Sequence, residues 1–566
     1  MDCKSEEIRT GRTVTMSENK VLDKLKDSVF KKKILYTLCF VALCVIDQIK
    51  GSADGRTQMI AVNCTGFVMA MIILSAYRLR DFVKIPYLVW TVIFLIGGMF
   101  AYMWGKENYP YQGRWITGIL NVGIYGFLVI RLIYRFVVEK AFPKMNRGLF
   151  FVWCAMMLGM IISRNESLWP LWFFVMFGCF YLTDYSKEEL TALFEGLVNG
   201  LIIGFFLIQG AAFVFRPFDI IRYKGMYANP NINGLFYLLS YCAFLCKGYE
   251  LKQKNAKIIW RLLTVVLAGS LYGFALLTQG KTTLLAMVVL TLIMLVFGAL
   301  QSNKNRIKSF LGQGICLVLA AVLSFPLVFG CVRYLPALFH HPIWYEGEYD
   351  VARVHSFDPI DSEKYVDWDE VLESSFGRIL WFVDFSKDEE SKAMDVVPTE
   401  AESETLQSES VIISRGSGEY EEDPLLTDKK EIRNPITLRA GIYQYYAERL
   451  NLMGHREEEN GLWLYENYFA PHAHNIFLQM AFNFGIPVCV AFIYLIGRTL
   501  YPAVSAHREM KDNRTKYLSV IVCGLTAVLV LFGMFEIDWH VGQNIFTLFF
   551  VGLYWVLHQQ GLAKRE

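Results

Sequence analysis

Apolar runs of about 20 residues, the length that crosses a bilayer as a helix, recur along this chain. They lie near 34–50, 57–77, 85–104, 115–135, 148–163, 168–185, 194–216, 231–248, 258–279, 282–300, 310–332, 475–497, 517–536 and 544–558. Lys and Arg cluster before the first run, at Lys31 to Lys33, and after alternate later ones, at Arg78 to Lys84, Arg131 to Arg147, Lys247 to Arg261, Lys304 to Lys308 and Arg498 to Lys516. The positive-inside rule puts those loops and both termini in the cytoplasm. The expected fold class is therefore all-α, a polytopic transmembrane bundle of about 12–14 spans.

Of the 566 residues, 54% are hydrophobic and 15% aromatic, which agrees with that class. A formal net charge of +2 argues against a nucleic-acid partner, whose phosphates call for a concentrated basic face. The polar first thirty residues read as a cytoplasmic tail. No small-residue cleavage site follows the first run, which reads as a retained anchor. Residues 31–332 then hold spans one to eleven, 333–474 an extracytoplasmic loop, 475–558 the last three spans and 559–566 a cytoplasmic tail. Cys39, Cys44, Cys154, Cys179, Cys242, Cys246 and Cys316 fall inside apolar runs and read as small hydrophobes, with no disulfide or metal framework.

Within the loop, 395–432 is rich in Glu, Ser, Asp and Thr, a composition that buries too little apolar surface to order a chain. Its flanks differ. Val371 to Phe385 and Ile436 to Leu452 carry apolar residues at helical spacing, which predicts two amphipathic helices on the membrane face.

Four constellations carry candidate chemistry, all on the outer side. Arg222, Lys224 and Gly225 precede Asn229-Pro230-Asn231, where helix-breaking residues suggest irregular backbone lining a cavity, or an ordinary turn with interfacial cations. Gly280-Lys281-Thr282 resembles a phosphate loop, but Ala275 stands where its first Gly is required. Lys281 at a helix N-terminus still suits an anion, or serves as a snorkelling anchor. Arg378 and Arg439 each head a predicted amphipathic helix, and either guanidinium can clamp phosphate oxygens or simply face solvent. Arg439 is favoured because its segment ends shortly before His472-Ala473-His474-Asn475. No carboxylate or Cys completes a metal site around that His pair, so a general base is preferred over a metal ligand or a helix cap. Glu536, Asp538 and His540 are on the same side and suit sugar hydroxyls or ordinary helix-end polarity.

Three stretches resemble the O-antigen ligase and O-antigen polymerase superfamily of polytopic glycosyltransferases. They are Arg222 to Gly225 with Asn229-Pro230-Asn231, Arg439 to Tyr443 leading to Leu452-Met453-Gly454-His455, and Ala473 to Gln479 with Gly485-Ile486-Pro487. The resemblance spans roughly 200–500, the earlier spans being similar in hydropathy alone. It implies a polyprenyl-diphosphate-linked glycan donor, a glycan or lipid-glycan acceptor, transfer on the outer face of a bacterial cytoplasmic membrane, and no metal or other cofactor. Carried over, His474 activates the acceptor hydroxyl and Arg439 meets the diphosphate, a task shared with Arg222, Lys281 or Arg378. Asn475, His472, Asn229 and Asn231 support them. Gly280-Lys281 stands where the family often has Ser-Arg. The rival reading is a lipid-linked oligosaccharide flippase, which would place ionisable residues along a path at mid-membrane.

Overall fold

The computed structural model describes residues 28–46, 55–108, 112–215, 222–227, 229–300, 305–339, 343–345, 354–356, 435–465, 468–509, 513–536 and 544–563. Arg378, the 371–385 segment, the 395–432 stretch, Asp538 and His540 lie outside them.

Helices account for nearly all of the described chain. They are α1 (28–46), α2 (Gly55–Leu74), α3 (Ile85–Asn108), α4 (Gln112–Val137), α5 (Arg147–Ile162), α6 (Trp169–Tyr181), α7 (Lys187–Phe215) and α8 (Pro230–Gln253). After them come α9 (Ile258–Leu277), α10 (Lys281–Leu300), α11 (Arg306–Leu338), α12 (Pro435–Glu448), α13 (Ile476–Phe484), α14 (Ile486–Glu509), α15 (Asn513–Gly533) and α16 (Asn544–Ala563). Two short antiparallel pairs interrupt the helical pattern, β1 (Ile343–Tyr345) with β2 (Val354–Ser356) and β3 (Leu462–Tyr465) with β4 (Tyr468–Ala470). Among the described residues eight helices are long and apolar enough to cross a membrane, and four further apolar helices are shorter. This is the make-up of a multi-pass membrane protein.

Burial separates the inner helices from the outer ones. The apolar window of α15 is 83% buried and that of α3 only 6%, so α15 is central and α3 presents Leu88, Val92, Leu95 and Met99 outward. Outward-facing side chains of this kind are stable only in an apolar solvent. Helix α8 is buried around most of its length and carries Asn233, Ser240, Tyr237 and Tyr241 inside the bundle, which explains its lower hydropathy. Gly196, Gly200 and Gly204 let α7 approach α1 closely, since a Cβ on each would come within 2.6, 2.5 and 2.9 Å of Tyr36, Phe40 and Cys44.

One expected span is corrected. The run 475–497 is not continuous: α13 ends at Phe484, Gly485 turns with φ +94°, and α14 starts at Ile486. Position 485 requires glycine on two counts, a positive φ and a Cβ that would meet the Leu452 carbonyl oxygen at 2.2 Å. The partner in this contact is the 451–455 turn, where Gly454 has φ +76° and the Asn451 carbonyl accepts from the Ile486 N–H at 3.0 Å. Hydropathy missed the break because apolar residues continue on both sides of it. Helix α13 therefore runs across one end of the bundle, with Ile476 against Gly533 of α15 and Phe484 against Trp169 of α6.

Gly485→Ala is expected to destabilise the folded protein by about 2–3 kcal/mol through overpacking and a strained φ. Thermal unfolding in detergent checks this. A midpoint equal to wild type would mean that the 451–455 turn yields freely.

Candidate functional site

Four segments distant in sequence meet at the end of the bundle where α7 stops and α8 starts. The first is the turn at 222–229. Arg222 Nε donates to the Thr278 carbonyl at 2.9 Å, and Nη2 donates to Asn231 Oδ1 at 2.6 Å. Asn229 caps α8 by accepting from the Asn231 N–H at 2.8 Å, and Pro230 occupies the first turn, where its missing N–H costs nothing. Asn229 thus shapes the turn, while Asn231 passes the contact onward.

Asn231 Nδ2 donates to Glu536 Oε1 at 2.9 Å, and Glu536 lies three residues past the end of α15. Arg439 Nη2 is 3.9 Å from the same oxygen, and His474 Nδ1 is 3.6 Å from Oε2. The Glu536 side chain is 13% exposed and that of Arg439 38%, so solvent screens the Arg439 contact more than the His474 one. Asn231, Arg439 and His474 are gathered around one carboxylate, with Arg222 behind Asn231. Arg439 sits one turn into α12 rather than at its head.

His474 adopts φ +48°, a left-handed conformation that costs a non-glycine residue of order 1 kcal/mol or more. Its neighbours fix it there. Asn475 caps α13 by accepting from the N–H groups of Phe477 and Leu478, each at 3.0 Å, and donates to the Met534 carbonyl at 3.1 Å. The Tyr443 hydroxyl is shared between the carbonyls of His474 at 3.2 Å and Met534 at 3.3 Å. Burial holds this phenol above its ordinary pKa, with Arg439 pulling the other way, so it remains a neutral donor. Gln479 completes the turn, accepting from the Ala473 N–H at 2.7 Å and donating to Asn460 and Asn483. Because Asn475 does the capping, the His474 ring is not needed as a cap. Its Nδ1 is buried without a hydrogen bond.

His472 packs edge-on against His474 with ring centroids 4.2 Å apart. Burial, then the neighbouring His474, pushes its pKa down to about 4, while Glu536 opposes the shift. At neutral pH His472 is uncharged. The folded form therefore refuses a proton that the unfolded chain accepts below about pH 6.5, and stability is lost as pH falls from there towards 4. The expected loss is about 3 kcal/mol, and His472→Asn should remove it. Thermal unfolding midpoints at pH 7 and pH 4.5 for both proteins check this; equal acid sensitivity would place the titrating group elsewhere.

Lys281 is exposed at the first residue of α10, three residues past the Thr278 carbonyl that holds Arg222. The strand pair β3–β4, the 451–455 turn and α12 form a small apolar cap over α13, in which Ile442 and Tyr446 pack with Ala470, Ala473 and Phe482. His455 belongs to this cap, stacked on Phe482 at 4.0 Å and bonded to Glu459 at 2.6 Å.

The sequence suggested Glu536 only as an accessory, and Tyr443 and Gln479, though they end two of the resembling stretches, were given no role. A signal for Glu536 existed: a carboxylate just past a helix C-terminus opposes the macrodipole and so needs cationic partners. The motifs contained Tyr443 and Gln479, but what they do is recognisable only through the turn they hold.

The opposite end of the bundle is different in kind. Lys33 pairs with Glu195 at 2.5 Å, Lys247 with Glu250 at 2.8 Å, Lys254 with Glu250 at 2.6 Å, and Lys32 with Glu189. Those four lysines are matched by three carboxylates within 2.8 Å, whereas at the other end Arg439 and His474 stand 3.6–3.9 Å from Glu536 and Arg222 reaches it only through Asn231.

No known protein family, curated protein or solved structure matches this chain.

Proposed function

We propose that the protein is a membrane glycosyltransferase of the O-antigen ligase and polymerase type. It moves a saccharide from a polyprenyl-diphosphate donor to a hydroxyl of a glycan or lipid-glycan acceptor, at the outer face of a bacterial cytoplasmic membrane. One observation carries the reading: two guanidinium groups and an imidazole, supplied by three separate segments, meet at one end of a helical bundle. In this reading residues 333–474 are extracytoplasmic, and the matched ion pairs at the far end face the cytoplasm.

The chemistry follows from the groups. The acceptor oxygen attacks the anomeric carbon and gives its proton to Nε2 of His474, the ring nitrogen turned away from Glu536. The bond from that carbon to the diphosphate oxygen breaks, and the electron pair leaves with the diphosphate. Arg439 and Arg222, with Lys281 at the rim, meet the charge that develops there. Arg378, outside the described residues, stays the alternative to Arg439. A ligase and a polymerase share these steps and differ in the acceptor.

The rival transporter would need ionisable groups along the bundle. Among the described spanning helices charged side chains collect near the ends, Arg498 on α14 excepted, which favours an enzyme. The test is made in proteoliposomes with a donor labelled in its sugar and a chelator present. Label passing to an acceptor with release of polyprenyl diphosphate is expected. Intact donor crossing the bilayer without transfer would replace the reading with a flippase.

A further inference from the structure

We propose that Glu536 is the positioning residue of the His474 base, holding the imidazole with a proton on Nδ1 and a bare Nε2 towards the acceptor. The proposal rests on the transferase reading above and adds a group that the sequence motifs do not contain.

The geometry supports it from both directions. Glu536 Oε2 is 3.6 Å from His474 Nδ1, a buried nitrogen with no hydrogen bond. The carboxylate is itself fixed, because Oε1 accepts from Asn231 Nδ2 at 2.9 Å and Asn231 is held in turn by Arg222 at 2.6 Å. His474 keeps a positive φ of +48° in the turn that carries this ring. The other groups around it are Arg439 at 3.9 Å from Oε1, the uncharged His472 ring against His474, and Tyr443 on the His474 carbonyl. A 3.6 Å gap closes to hydrogen-bond length with a small ring movement, and catalytic contacts commonly tighten when substrate binds.

During transfer the acceptor proton passes to Nε2 and Nδ1 keeps its own, so an imidazolium forms beside Glu536. The carboxylate stabilises that cation and does not take the proton itself. Its second task is to keep the charges apart: with Glu536 directed to His474, the long Arg439 contact is the one a diphosphate can displace. A carboxylate this close to Arg439 would otherwise only weaken anion binding.

Glu536→Gln is the informative variant, since its amide oxygen still accepts from Asn231 while the charge is removed. Turnover should fall about thirtyfold or more with donor KM changed by less than about threefold, and Glu536→Asp should recover part of the loss. In a His474→Ala background the same substitution should cost almost nothing further, because both changes remove one unit. Equal losses in both backgrounds, or a loss confined to donor KM, would overturn the proposal and assign Glu536 to the arginines. A second readout does not need turnover. The carbethoxylation rate of His474, resolved by peptide mass spectrometry with His455 as internal reference, should fall severalfold in Glu536→Gln. An unchanged rate overturns the pairing. If wild type transfers nothing, the transferase reading fails and this rate alone decides the pairing.

Discussion

Alanine at His474 is expected to lower turnover about a thousandfold while donor KM moves less than about threefold, the pattern for loss of a general base. The reason is local. His474 meets Glu536 on the Nδ1 side, and the turn around it is held by Tyr443 on its own carbonyl, Gln479 on Ala473 and Asn475 on Met534, so the turn survives without the ring. Steady-state transfer from a labelled polyprenyl-diphosphate donor measures this. Retained turnover would remove the base from the account while leaving the arginines in it. His472→Asn, by contrast, should keep most activity, because a ring that is already neutral and buried has no proton to exchange near pH 7.

Arg439→Ala carries the second large effect. Losing one preorganised cation at a departing diphosphate should raise the barrier by ~3–4 kcal/mol, by analogy with removal of one oxyanion-hole donor. Donor affinity should fall with it, since the ground-state diphosphate is already charged. Arg439→Lys should recover only part of the loss, because a point charge replaces a planar fork. Arg222 is a different case: it also bonds Thr278 and Asn231, so its replacement loosens the 222–231 turn as well as removing charge. If Arg439→Lys were fully active and Arg378→Lys inactive, the diphosphate would belong to the other loop arginine.

Hydropathy and basic-loop spacing made the helical bundle legible, because spans and topological charges obey composition rules that act residue by residue. The interruption at Gly485 escaped them. It depends on a positive φ and on backbone contact with Leu452, neither of which changes the apolar character of the run. The site divides in the same way. Arg222, Asn231, Arg439 and His474 could be nominated from residue chemistry and from the motifs they occupy. Their convergence on Glu536 could not, since the contacts join positions 231, 439 and 474 to 536, the first of them across 305 residues of chain. Asn475 shows the limit from the other side: residue type suggested support of the base, and the structure makes it the helix cap that frees the imidazole.

The most direct measurement of the central claim is a cryo-EM map of the protein with a non-transferable polyprenyl-diphosphate saccharide bound. The account predicts diphosphate oxygens in ion-pair contact with Arg439 and Arg222, and the anomeric carbon on the Nε2 side of His474. A diphosphate seated at the opposite end, among Lys32, Lys247 and Lys254, would contradict it.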